Sequence, residues 1–414
     1  MKLPGVHLQT KRNTCLLLLL LVLVQLSAIA TTRCTNQRAQ TVVDIPEPSV
    51  QDIRATESPS PTASVPRGTI LFTVVERFEL EKLIRTNIWA IDASSQNVQL
   101  WIEGDKSKGW PVASPNKRRI AYVVYDLVNG ELRPSIWVTN ADGLNSHQVS
   151  PTYRVGAYPF EEENEAVYLA PIGWGKDGKL FAYVVWGKRT GACSGKLYLL
   201  DTGTAQITQV GSQGIFAARW YPEGSASLIF YTCKDADQAY YLIDSSKPES
   251  PERIDKLASP PLGWTPDGKR YTVTKDGILV IDPIDGSQYL IKASNVDRLW
   301  WSPNGQRIAY TRRDSQCWWI EELFVVDSDG TNHKKLVDKG IFTLIHMPVV
   351  WSPDSKWIAG LGIPYEYADR VISAEDYLAK VYMVNVITGD MIVIDQEMAP
   401  QPVGTMVEGM EWLP

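Results

Sequence analysis

The chain has 414 residues, of which 44% are hydrophobic and 21% charged, the composition of a globular protein with a sizeable core. Its formal net charge of −6 argues against a nucleic-acid partner, because phosphate contacts need a basic surface. The 4 His residues show no metal-binding spacing, so we expect no metal and no other cofactor.

Residues 1–30 have the organisation of a secretory signal peptide. The basic pair Lys11 and Arg12 is followed by the apolar run Cys15–Leu26 and by a small-x-small site that ends at Ala30. The apolar run is short for a membrane span. We therefore expect cleavage after Ala30.

Two alternatives to cleavage are an uncleaved anchor formed by residues 14–30 and lipidation of Cys34 as a new N-terminal residue. Arg33 stands where bacterial lipoprotein signals have a small residue. With either alternative the chain would be tethered to a membrane. In all three cases the folded part is expected to lie outside the cytoplasm, as a secreted, periplasmic or cell-envelope protein.

Residues 31–67 predict a disordered linker rather than a folded domain. The segment is rich in Pro, Ser and Thr and poor in large apolar residues, so it buries too little surface to offset its ordering entropy. It is typical of a spacer that holds a domain away from the leader.

A phrase of the type Trp-Ser-Pro-Asp-Gly recurs along residues 68–414 at intervals of 37 to 61 residues. Such spacing is typical of a propeller or a solenoid. We interpret the first residue of each phrase, which we call the anchor, as a core residue that packs between neighbouring units. The seven anchors are Ala113, Trp174, Trp220, Trp264, Trp301, Trp351 and Trp412.

Each phrase is followed by the same local pattern. Its Pro-Asp-Gly sequence predicts a tight turn. Two strands rich in β-branched and aromatic residues come next, and then a weaker outer strand such as Ser287–Lys292. With the strand before the anchor, each unit predicts a four-stranded antiparallel sheet. A helical turn is expected near Ser373–Leu378 only.

The two ends of residues 68–414 predict one further unit. Gly68–Val75 has the pattern of a second strand, and Thr405–Trp412 has the pattern of a first strand with its anchor. Pairing them would remove two exposed sheet edges. The sequence thus predicts an all-β fold, a seven-bladed β-propeller of four-stranded antiparallel blades, closed by pairing of the C-terminal strand with the N-terminal strands.

The phrases at Trp264, Trp301 and Trp351 resemble the WD-like repeats of TolB-type periplasmic proteins and of the propeller domains of prolyl oligopeptidase-like enzymes. The resemblance covers residues 68–414 and implies a secreted or envelope-associated β-propeller, often a binding scaffold. TolB itself has an N-terminal α/β domain and six blades, so a role in a Tol–Pal complex is not expected. The oligopeptidases carry a C-terminal hydrolase domain, whereas this chain is expected to end at the closing strand.

Two short motifs partly match catalytic or metal sites. Gly191–Gly195 has the outline of a nucleophile elbow with Cys in place of Ser, but it lies between two strands rather than at a strand-to-helix turn. Asp327–Gly330 has the start of a calcium loop without the remaining ligands, and is better interpreted as a hairpin turn. No catalytic residue is predicted.

Cys193 and Cys233 predict a disulfide. Both follow the second strand of neighbouring units, where corresponding loops emerge side by side, and an oxidising compartment favours the bond. Two separate thiols are the alternative, because a sequence cannot show that the two Cα atoms approach closely enough.

The long insertions gather on one side of the predicted ring, which we call the long-loop face. They include Asp126–Arg133, Arg312–Ile320 and Pro364–Ala379. Exposed Trp, Tyr and Arg are enriched at binding hot spots, and insertions on repeat scaffolds often carry function. The candidate binding residues are Arg312, Arg313, Trp318, Trp319, Tyr365, Glu366, Tyr367 and Arg370.

We expect a non-catalytic extracytoplasmic scaffold that binds a protein or glycan through the long-loop face. The alternative is a propeller hydrolase or lyase that acts on carbohydrate or peptide at the central channel. Converging carboxylates or a metal site at the channel mouth would favour the enzyme.

Overall fold

A computed structural model describes most of the chain after residue 64. The described residues are 65–79, 82–128, 131–153, 166–187, 195–221, 226–232, 239–254, 263–282, 286–313, 321–342, 349–362, 380–394 and 409–414. All regular structure in these ranges is β-strand. The strands form six antiparallel sheets, and every pairing between them is antiparallel. The leader and most of the linker lie outside the described residues.

The first sheet joins the two ends of the described chain. It consists of β1 (Thr69–Glu79), β2 (Lys82–Asp92), β3 (Val98–Leu100) and the last strand, β27 (Met410–Leu413), in the order β27-β1-β2-β3. The C-terminal strand pairs antiparallel with β1, from Thr69 opposite Leu413 to Phe72 opposite Met410. This is the pair of elements that the sequence predicted to meet.

The second sheet contains four strands in chain order. They are β4 (Ser107–Ala113), β5 (Arg119–Val128), β6 (Glu131–Asn140) and β7 (His147–Gln148). The expected loop Asp126–Arg133 is largely paired: β5 and β6 continue side by side as far as Val128 opposite Glu131. This insertion therefore extends two strands instead of forming a long loop.

The third sheet has seven strands and differs from the predicted pattern of separate four-stranded units. Its strands are β8 (Ala166–Trp174), β9 (Leu180–Gly187), β10 (Gly195–Asp201), β11 (Ile207–Tyr221), β12 (Ser227–Thr232), β13 (Ala239–Asp244) and β14 (Glu252–Ile254).

The long strand β11 explains the size of this sheet, because its first part pairs with β10 and its last part pairs with β12. Residues 207–210 pair with β10, and residues 217–221 pair with β12. Between them Gly211 and Gly214 have φ values of 61° and 107°, which glycine adopts without a steric penalty. The chain thus passes from the outer strand of one unit to the inner strand of the next without leaving the sheet.

Three further four-stranded sheets follow in chain order. They are β15 (Gly263–Trp264), β16 (Arg270–Thr274), β17 (Gly277–Ile281) and β18 (Gln288–Lys292); β19 (Val296–Trp301), β20 (Arg307–Arg313), β21 (Glu321–Asp327) and β22 (Lys334–Phe342); and β23 (Val350–Trp351), β24 (Trp357–Gly362), β25 (Lys380–Asn385) and β26 (Met391–Ile394).

The hydrophobic core lies between the sheets. One cluster packs Ile70 and Phe72 of β1 against Ala359 of β24 and Met383 of β25, and three further clusters join other sheets in the same way. Another cluster packs between the two halves of the seven-stranded sheet. Sheets packed on both faces need strands with apolar residues at successive positions, which explains the nearly continuous hydrophobic runs of the repeat. Burying one such large side chain contributes about 1.5–3 kcal/mol.

Candidate functional site

Strands of all six sheets line one cavity of ≈ 720 Å³, which we call the central cavity. Strands β4, β8, β11, β19, β23 and β27 contribute to its wall, and the turn after β15 completes it. The cavity reaches the tight turns that follow these strands, a side that we call the short-turn face. Pockets for small organic ligands usually measure about 300–1,000 Å³.

The wall of the central cavity combines apolar and polar surface. Four of the predicted anchors in it are buried, with exposed fractions of 3% for Trp174, 4% for Trp220, 7% for Trp351 and 2% for Trp412. The prediction that these anchors are core residues is therefore confirmed. The polar members of the described lining are Ser114, Lys117, Thr265, Tyr271, Ser302 and Glu411, besides the indole groups.

The indole nitrogens of the buried anchors hold neighbouring inner strands together. Trp174 Nε1 donates to the carbonyl oxygen of Val112 at 2.9 Å, Trp220 Nε1 to that of Gly173 at 2.8 Å, and Trp351 Nε1 to that of Trp300 at 3.1 Å. In each case the acceptor belongs to the previous copy of the phrase. It is the residue immediately before the anchor of that copy. The anchor therefore fills the gap between two strands and also bonds across it, which the repeat alone did not predict.

Two anchors depart from this rule. Trp412 Nε1 donates to the carbonyl oxygen of Arg67 at 2.8 Å, so it binds the segment just before β1 rather than the preceding inner strand. Trp301 Nε1 is buried and has no hydrogen-bond partner in the part of the chain that the structure describes. The anchors are thus alike in sequence but not in the bonds they form.

The serine of the repeated phrase has a structural role in its turn. Ser114 Oγ donates to Asn116 Oδ1 at 2.8 Å and accepts the backbone N–H of Arg119 at 3.0 Å. Ser302 and Ser352 form the same two bonds with the residues two and five positions further on. These bonds tie the turn to the start of the next strand and explain why Ser, Pro and Asp or Asn recur together.

The last residue of the phrase adopts a left-handed backbone conformation. Gly178 and Gly305 have φ values of 62° and 70°, as expected for glycine in such a turn. Lys117 and Ser355 occupy the same place with φ values of 56° and 59°. This conformation costs a residue with a side chain about 1–2 kcal/mol, so two of the turns contain local strain.

Both strained residues contact the neighbouring sheet. Lys117 Nζ lies 3.2 Å from Glu411 Oε2 on β27, and Ser355 Oγ accepts the backbone N–H of Asn304 at 3.3 Å. The Lys117 and Glu411 side chains are 35% and 22% exposed, so solutes can reach the pair. They are the charged residues of the described cavity lining.

Of the predicted binding residues, the structure describes the side chain of Arg312. Its guanidinium lies 4.7 Å from the ring centroid of Phe324 and 3.6 Å from Glu322 Oε2, and Lys335 Nζ contacts Glu322 Oε1 at 2.9 Å. Arg312 is therefore held on the surface of β21, at the base of the predicted loop.

The remaining candidates lie outside the described residues or have side chains outside them. These are Arg313, Trp318, Trp319, Tyr365, Glu366, Tyr367 and Arg370. The same holds for Cys193 and Cys233, so their disulfide stays a prediction, and for the expected helical turn at Ser373–Leu378.

No group of three or more His, Cys, Asp or Glu side chains in the described residues is placed to hold a metal ion. Within the same residues, no helix has the length and apolar character to cross a membrane.

Sequence reasoning assigned no role to Lys117 or Glu411. A signal was present, because Lys117 stands where other copies of the phrase have glycine. Its contact with Glu411 was not predictable, since the two residues are 294 positions apart.

The structure is similar to solved β-propeller proteins. The β-propeller domain of the Trilobed protease from Pyrococcus furiosus matches with a TM-score of 0.52 at 11% identity, over 80% of this chain and 93% of that one. The oligogalacturonate lyase from Vibrio parahaemolyticus matches with a TM-score of 0.52 at 13% identity, over 73% and 84%.

TolB from Acinetobacter baumannii is also among the structural neighbours, with a TM-score of 0.47 at 14% identity, over 84% of this chain and 67% of that one. No family model and no curated protein sequence matches the chain. The neighbours are TolB and related β-propeller proteins, and at these identities the similarity concerns the fold.

Proposed function

We propose that the protein is a non-catalytic extracytoplasmic β-propeller that binds a protein or glycan through its long-loop face. The observation that carries the proposal is that polar groups of the central cavity wall bond to other parts of the fold. The indole groups of Trp174, Trp220 and Trp351 bond neighbouring strands, serine hydroxyls hold turns, and Lys117 pairs with Glu411. These groups are engaged in building the scaffold, which leaves the outer surface for a partner.

The architecture within this proposal is a closed ring of seven four-stranded blades. Division of β11 between two units turns the seven-stranded sheet into two blades of four, and five other sheets supply the rest. The pairing of β27 with β1 supports closure through the first blade. Inner strands of six of these units, and the turn after β15 in the seventh, also contribute to one cavity.

The partner surface is proposed around the loops that follow β20 and β24. Arg312 begins the first of these loops and rests on Phe324, so a rigid sheet supports its base. The aromatic residues Trp318, Trp319, Tyr365 and Tyr367 come next in the sequence. A rigid support that presents aromatic and Arg side chains is typical of binding hot spots.

The proposed location outside the cytoplasm rests on residues 1–30 and on the linker that follows. A disulfide between Cys193 and Cys233 belongs to the same proposal, because it requires an oxidising compartment. The enzyme alternative needs acid and base groups that converge on the cavity. The carboxylate in the described lining, Glu411, is paired with Lys117.

A pull-down from the native extract, followed by affinity measurement, tests the proposal. We expect combined replacement of Trp318, Trp319, Tyr365 and Tyr367 by Ala to weaken partner binding about thirtyfold, the effect of losing roughly 2 kcal/mol. The thermal midpoint should stay unchanged. Tyr289→Ala, at an exposed residue of β18, is the matched control and should bind normally.

Two results would contradict the proposal. A sharp fall of the thermal midpoint would mean that the four aromatic side chains pack within the fold. Unchanged affinity and unchanged stability would mean that the partner uses another surface.

A further inference from the structure

Two arginines of β20 are bound in different ways. Arg307, at the start of the strand, donates from Nε to Asp327 Oδ1 at 3.1 Å. Arg312 forms an ion pair in which its Nη2 lies 3.6 Å from Glu322 Oε2, a distance too long for a hydrogen bond. Within the described part of the chain, the guanidinium of Arg312 therefore keeps its hydrogen-bond donors unused.

The guanidinium of Arg312 is nevertheless held in one place. It lies over the ring of Phe324, and that ring stacks on Tyr310 with centroids 5.3 Å apart. Both rings belong to the buried cluster that joins β16–β18 to β20 and β21. An arginine supported by such a ring loses little further freedom when it binds a partner, and its donors stay in a planar arrangement.

The surroundings of Arg312 leave it accessible. Its side chain is 36% exposed. In the neighbouring sheet, β16 and β17 are joined by Lys275 and Asp276 alone, because Thr274 pairs with Gly277. This turn corresponds in the repeat to the long loop that follows β20. The neighbouring unit thus has no long insertion at this position to cover Arg312.

The charges near Arg312 favour a single carboxylate as its ligand. Lys335 Nζ contacts Glu322 at 2.9 Å, so Glu322 keeps a cation when Arg312 binds elsewhere. The adjacent turn carries one charge of each sign, on Lys275 and Asp276. A polyanion would need a surface lined by one sign of charge, whereas the fork of one arginine matches one carboxylate.

We propose that Arg312 binds a carboxylate of a protein partner, carried by an Asp or Glu side chain or by the C-terminus. The inference rests on the proposed function and specifies the chemistry that the partner presents to the long-loop face. The carboxylate would accept the N–H groups that Glu322 leaves unused. Bidentate bonds of this kind are strong and directional, so they would fix the orientation of the partner.

Retention of synthetic peptide libraries on the immobilised full chain tests the inference. One library has Asp between mixed apolar residues, with acetylated and amidated ends, and a second has Asn in place of Asp. We expect the Asp library to bind about tenfold more tightly, because hydrogen bonds to a charged group are the stronger ones. An Asn library with a free C-terminus shows whether a terminal carboxylate serves as well. Polygalacturonate tests a glycan as the source of the carboxylate.

Three variants assign the contact. Arg312→Gln should remove the preference for Asp, and Arg312→Lys should not restore it, because lysine keeps the charge but lacks the planar fork. Arg307→Gln makes the matched change on the same strand and should retain the preference. The thermal midpoint of Arg312→Gln should stay near that of the wild type, since Lys335 still pairs with Glu322.

Several outcomes would overturn the inference. They are equal binding of the Asp and Asn libraries by the wild-type chain, a preference that survives in Arg312→Gln, and binding of polygalacturonate through Arg312 without binding of any peptide library. A lower midpoint in Arg312→Gln together with normal binding by Arg312→Lys would assign the arginine to the fold instead.

The proposed function is judged separately, by the combined replacement of the four aromatic residues. If that variant loses the partner while Arg312→Gln keeps its preference for Asp, the proposed function stands and the inference about Arg312 is wrong.

Discussion

Trp220 and Trp301 are anchors of the same repeated phrase, but they differ in how they contact the residues around them. Trp220 is 4% exposed, packs with Val184, Leu199 and Phe230, and donates its indole N–H to Gly173. Trp301 is only partly buried, beside Tyr271, and its buried indole nitrogen lacks a partner in the described part of the chain.

The strands that receive the two anchors differ in the same sense. Trp220 packs on β8, whose described length is Ala166–Trp174, and Gly173 and Gly175 leave room for the indole ring. For Trp301, which lies on β19, the inner strand of the preceding unit is β15. The described length of β15 is the two residues Gly263–Trp264. A repeated Trp therefore supplies volume at every contact, but its hydrogen bond depends on the backbone of the neighbouring strand.

The largest expected difference between the two contacts comes from removing each ring. Trp220→Ala should lower the free energy of unfolding by about 3–5 kcal/mol, because it leaves a large cavity and an unpaired carbonyl. Trp301→Ala should cost clearly less. Denaturant titration measures both, and equal losses would show that the two contacts are energetically alike.

A smaller effect is expected at Gly175, where four other copies of the phrase have Ser or Thr. A Cβ atom at Gly175 would lie 2.9 Å from Cη2 of Trp220, so Gly175→Ser should destabilise by about 1–3 kcal/mol although it restores the repeat. Thr265→Ser is the matched control, with a loss of about 1 kcal/mol or less. In a Trp220→Phe background the cost of Gly175→Ser should shrink; a constant cost would exclude the proposed clash.

Replacing the indoles by Phe isolates their N–H groups. Trp220→Phe should cost about 1–2 kcal/mol beyond the lost ring area, because the carbonyl of Gly173 loses its donor. Trp301→Phe should be close to neutral, since it removes a buried donor that has no described acceptor. If Trp301→Phe is the more damaging change, our comparison of the two contacts is wrong.

The smallest effect concerns the turn that leads into β11. The backbone N–H groups of Thr204 and Gly203 donate to Asp201 and hold its pKa below the ordinary value of 3.8. A carboxylate with a lowered pKa stabilises the fold above its unfolded pKa and loses that contribution as pH falls through the folded pKa. Asp201→Asn should thus be slightly less stable than wild type at pH 7.

The pH dependence of that difference is the measurement. The midpoints of wild type and Asp201→Asn should converge as the pH falls below about 3.8. A gap that stays constant down to acid pH would show that the charge of Asp201 contributes nothing.

Much of the fold followed from local patterns. Turn residues and β-branched runs predicted the strands, and the anchors predicted the buried residues Trp174, Trp220 and Trp351. The pairing of β27 with β1 also followed, since the sequence around each strand carries only part of a repeat unit. The continuous strand β11 did not, because it depends on two glycines within one connection rather than on the repeat.

The candidate site was much less predictable. The aromatic and Arg residues of the long loops were proposed from composition, and among them Arg312 has a described place, on Phe324. The cavity, and the pair of Lys117 and Glu411 in its wall, had no counterpart in the sequence analysis.

By itself, the sequence determined the period of the repeat, the turn chemistry and the identity of the core residues, because these depend on interactions within a few positions along the chain. Tertiary structure alone decided which anchor finds an acceptor, why Gly175 replaces serine, and which charges meet across the cavity. Such contacts join residues far apart in sequence, as Lys117 and Glu411 show, and only the packing of whole sheets brings them within bonding distance.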